Sequence, residues 1–63
     1  MNVEQGYIDA ENILSDLIEE EADSMLWLEK QEEFGKAAIA FEIGMALKDA
    51  LQKIKDKRKE RLG

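Results

Sequence analysis

The chain has 63 residues, a formal net charge of −6, and no Cys, His or Pro. One domain is the most that this length allows, near the lower limit for a chain that folds alone. Without Cys or His it has no disulfides, no usual zinc ligands and no usual general base, so oligomerisation is the ordinary route left to a stable small fold. Ala, Leu, Glu and Lys dominate and Thr is absent. That composition favours long helices, so residues 1–63 are expected to form a single all-α domain.

At the start, Asn2 with Gln5 fits a capping box, and Asp9 is an alternative N-cap. Fraying is expected up to Tyr7, and helix 1 is predicted over about 7–33. Tyr7, Ala10, Leu14, Leu17, Ile18, Ala22, Met25 and Leu28 recur at helical spacing on one face. Glu21 lies within that stripe, and Trp27 projects from the polar side. No basic patch precedes an apolar run, so no signal peptide is expected.

The stretch EKQEE (29–33) has no apolar residue and leads into Phe34-Gly35. Gly35 suits the left-handed residue that ends a helix, which predicts a turn at about 34–36. Helix 2 is predicted over about 36–61, with an inner stripe of Ile39, Ile43, Leu47, Ala50 and Ile54. A rival reading runs one heptad seam of Trp27, Phe34 and Phe41 straight through Gly35, with the break near 20–24.

FGKAAIAFEIGMAL (34–47) is the most apolar stretch, and it shows two stripes. A surface helix of a small monomer needs one. The expected architecture is therefore an antiparallel hairpin that dimerises into a four-helix bundle. Trp27, Phe34, Ala37, Phe41 and Met45 are its expected protein interface, serving a second copy or another protein. No segment is long and apolar enough to span a bilayer, so no membrane partner is expected.

Charge is unevenly divided. Residues 1–35 hold eleven acids and one Lys; residues 36–63 hold four acids and eight Lys or Arg. The halves thus carry −10 and +4, which an antiparallel pairing would partly cancel. With a turn near residue 34, Glu21 is expected to meet Lys48, and Glu11 to meet Arg58. Glu19, Glu20 and Glu21 point three ways on a helix and cannot converge on a metal from one chain. No catalytic, cofactor-binding or metal-binding residue is assigned. The basic tail, residues 53–61, has no interleaved aromatic and reads as a solvated helix end rather than a strand-binding surface.

Length and predicted topology resemble the Rop family of plasmid RNA-binding proteins. That resemblance implies a bundle fold and RNA binding as an alternative function. No motif residue matches, and the Cys and His of that family have no counterpart here, so no site residues carry over. The expected function is a small non-enzymatic interaction module of regulatory, adaptor or inhibitor type, acting as a homo-oligomer. An acidic DNA-mimicking inhibitor of a nucleic-acid-processing protein is the other alternative. A cytoplasmic location and a bacterial or phage source are expected.

Overall fold

The computed structural model describes residues 2–62; positions 1 and 63 of the expected domain lie outside the described residues. Two helices, α1 (Val3–Lys30) and α2 (Phe34–Leu62), pack against each other as a hairpin. A helix of this length spans about 42 Å. That accounts for the long axis of the 46 × 17 × 12 Å molecule.

α1 starts earlier than expected because its cap is satisfied. Asn2 is extended, and its side-chain oxygen accepts from the Glu4 N–H at 2.8 Å. Gln5 does not close the box; its amide donates to Asp9 Oδ1 at 2.8 Å. α1 then runs unbroken past Ser24, which rules out the single seam through Gly35.

The turn is at 31–33, not 34–36. Glu32, not Gly35, takes the left-handed conformation, with φ 59°. The Glu32 N–H donates to the Glu29 carbonyl and the Glu33 N–H to the Leu28 carbonyl, each at 3.0 Å. These two bonds form a Schellman motif, which satisfies carbonyls that the helix end would leave open. Glu33 in turn accepts from the Ala37 N–H at 3.0 Å, opening α2. Gly35 is an ordinary helical residue with open space where a Cβ would stand.

Turning earlier changes which face of α2 meets α1. In α1 the half-buried positions include Tyr7, Glu11, Leu14, Ile18, Glu21, Met25 and Leu28; in α2, Ala37, Ala40, Gly44, Leu47, Leu51, Ile54 and Arg58 are covered. Each set alternates steps of three and four, the spacing of a coiled-coil seam. Helix 1 therefore presents much of its expected face. In α2 the expected inner stripe is displaced: Ile39 stays 58% exposed and Ile43 is exposed too, while Leu51 joins the seam. The small side chains of Ala37 and Ala40 offer α1 a closer approach than Ile39 and Ile43 would, while Gly44 leaves space beside it that a Cβ would not fill.

The seam is thin. Among the described residues only Ala37 and Ala40 are buried, each 5% exposed, and no large side chain is enclosed. The accessible surface is 4911 Å². A compact monomer of this mass is expected to expose about 4,100 Å². No described helix is long and apolar enough to cross a membrane.

Candidate functional site

Successive helical residues project about 100° apart, so residues beside the seam fall on two flanks. On α2, Phe34, Ala38, Phe41 and Met45 lie to one side of the seam; Ile39, Ile43, Ala46 and Ala50 lie to the other. On α1, Ala22, Leu26 and Glu29 lie to one side; Val3, Ala10, Ile13, Leu17 and Trp27 lie to the other. One groove is lined by Ala22 and Met25 of α1 with Phe41, Met45 and Lys48 of α2. A second joins Met25 and Glu29 to Phe34, Ala38 and Phe41. These linings place the Phe34–Phe41–Met45 flank beside Ala22 and Glu29. The Ile39–Ile43 flank therefore shares its side with Ile13, Leu17 and Trp27.

The five expected interface residues are divided by this geometry. Phe34, Phe41 and Met45 are together and exposed, Phe34 by 65%. Trp27 is exposed on the opposite flank. Ala37 is consumed by the hairpin's own seam and presents almost nothing to a partner. Sequence reasoning left Ile13 out of its stripes and set Leu17, Ile39 and Ile43 inside the hairpin; all four are exposed.

The two flanks differ in extent. Beside Ile39 and Ile43, the positions nearest the seam are Val3, Ala10, Leu17 and Ser24 on α1, and Ile43 and Ala50 on α2. None is charged, and Lys36 and Lys57 bound the α2 row. This band runs nearly the length of the hairpin. On the aromatic flank the apolar surface is interrupted about halfway, where Lys48, Gln52 and Lys55 follow on α2 and Ser15 and Asn12 on α1, with Ile8 alone beyond them.

Arg58 Nε approaches Glu11 Oε2 to 3.3 Å, with the Glu11 side chain 12% exposed. That oxygen has no well-formed hydrogen bond, so the approach is a charge pair with poor alignment. Glu21 and Lys48 line one groove but are not within ion-pair distance. In an open groove water solvates both, so little draws them together. The remaining ion pairs, Lys36–Glu33, Lys53–Asp49 and Lys57–Glu60, are local and exposed.

Folding redistributes the charge. Residues 1–18 carry four acids and no base, and residues 47–63 at the same end carry three acids and seven bases, so the open half is neutral. Residues 19–46 carry eight acids and two Lys, so the turn half holds the whole −6. The basic tail is thus balanced by α1.

The Met25–Phe41–Lys48 groove holds about 140 Å³. Small-molecule sites usually take about 300 Å³ or more. A hollow of about 390 Å³ at the open end is lined by Val3, Gly6, Tyr7, Ala10 and Ile54, with only the Tyr7 hydroxyl as a side-chain polar group. Among the described residues no group of three acidic side chains is placed to hold a metal ion. Comparison with family models, with curated proteins and with solved structures finds no match to this chain.

Proposed function

We propose that this protein is a non-enzymatic helical interaction module that pairs with a second copy through the flank of Ile13, Leu17, Ile39 and Ile43. The supporting observation is the surface left over. The hairpin exposes 4911 Å², about 800 Å² beyond a compact chain of its mass. One partner's share of a standard interface is also about 800 Å². The uncharged band is the flank long enough to supply it.

An antiparallel dimer sets each −6 turn half beside the neutral open half of the other copy. A parallel dimer would bring the two −6 halves together. Electrostatics therefore favours the antiparallel four-helix bundle. Sedimentation equilibrium at micromolar concentration is expected to give about twice the 7.2 kDa chain mass. A fully helical monomer would overturn the reading. Leu17→Lys with Ile43→Lys is expected to dissociate the dimer, and an unchanged mass would move the interface elsewhere.

A further inference from the structure

We propose that the aromatic flank of the turn half docks an amphipathic helix with a cationic polar face, supplied by another protein. Phe34, Phe41 and Met45 form its apolar anchors. Ala38 and Ala22 keep the surface between the anchors low. The hollows on either side of Phe41 hold about 140 and 250 Å³ and both reach Met25. From Phe34 to Met45 the strip is about 17 Å long, or three helical turns. Such a trough fits the anchors that an amphipathic helix presents at every third and fourth residue. Methionine among the anchors adapts to partners of varied shape.

Charge selects the occupant. The apolar strip is confined to the half that carries −6. A second copy can cover it symmetrically only by bringing its own −6 half alongside, with like charges opposed. The long band on the other flank escapes this conflict because it reaches the neutral half; this strip does not. Glu21 and Glu29 line it, with Lys48 at its lower edge. A helix carrying Lys or Arg beside its apolar face satisfies both the anchors and the rim. The inference builds on the interaction-module reading, but it needs only that the dimer leaves this flank free.

The probe is a fluorescent peptide of about 18 residues, Leu on one helical face and Lys on the other. Binding is read by anisotropy at physiological salt, with sedimentation run in parallel. The peptide is expected to bind, and Phe41→Ser with Met45→Ser to weaken it at least about tenfold without changing the dimer mass. Phe34→Ser is a second variant, and circular dichroism checks that each remains helical. Leu17→Lys with Ile43→Lys is expected to alter peptide affinity by less than about threefold even where it dissociates the dimer. The dimer reading and this one therefore fail separately. Equal binding by the Phe41→Ser, Met45→Ser protein would overturn the proposal. So would equal binding of a Glu-for-Lys peptide, or of a Ser/Lys peptide lacking the apolar face. Loss of the dimer in the Phe41→Ser, Met45→Ser protein would also overturn it, since a second copy would then occupy the flank.

Discussion

Arg58 reaches across the hairpin to Glu11, Nε to Oε2 at 3.3 Å, and these two half-buried charges, together with Glu21, interrupt an otherwise largely apolar seam. Glu11 has few routes to water, so its carboxylate depends on this neighbour. Arg58→Ala is expected to cost about 1–3 kcal/mol, the penalty of leaving a poorly solvated charge unpaired. Replacing both residues with Leu extends the apolar seam and is expected to restore or exceed the original stability. Urea unfolding of the single and double variants, at one protein concentration, measures both effects. An Arg58→Ala cost within error of zero would show that water solvates Glu11 as well as Arg58 does.

Glu32 holds φ 59° at the centre of the turn. A side chain with a Cβ is strained in that region, and glycine is not. Glu32→Gly is expected to stabilise the hairpin by about 1 kcal/mol, raising Tm by roughly 4–8 °C. Thermal unfolding decides it; a lower Tm would mean that Glu32 contributes more than its backbone strain costs.

Gly35 and Gly44 both lie within α2, and an added Cβ at either meets nothing within 4 Å. Alanine is the better helix former by up to about 1 kcal/mol. Gly44→Ala is expected to stabilise by most of that amount, and Gly35→Ala by less, because it sits in the first turn. Destabilisation by Gly35→Ala would return the left-handed turn to that residue.

Asn2 supplies a side-chain acceptor to the Glu4 N–H. Asn2→Ala is expected to cost about 0.5–1 kcal/mol and to fray the first turn. Amide exchange should then quicken at residues 4–6 and remain unchanged near Met25. Uniform protection in the variant would show that packing, not the cap, holds this end.

If the chain dimerises, its Tm should rise with protein concentration, because association stabilises the folded state by mass action. Leu17→Lys with Ile43→Lys should remove that dependence. A Tm independent of concentration over a hundredfold range would leave the hairpin standing alone, with its apolar flanks uncovered.

What the sequence by itself determined is local. Helical spacing, the Asn2 cap, a break in the neighbourhood of EKQEE and two arms of near-equal length all depend on residues within a few positions of one another. So does the surplus of apolar faces on 34–47, which is a count made around one helix. Register and inner face were decided only in the tertiary structure. Gly35 carried the visible turn signal, yet a glutamate turns the chain three residues earlier. The Schellman bonds compensate Glu32, and the earlier turn brings Ala37, Ala40 and Gly44 to the seam. Two helices approach closest where side chains are smallest, so the small residues went inside and Ile39 and Ile43, expected within the hairpin, were left on a flank. Hydropathy ranks those large residues as the core. Only the pairing of the two arms shows that the hairpin cannot cover them, because a single helix facing α2 shelters the seam and leaves both flanks open.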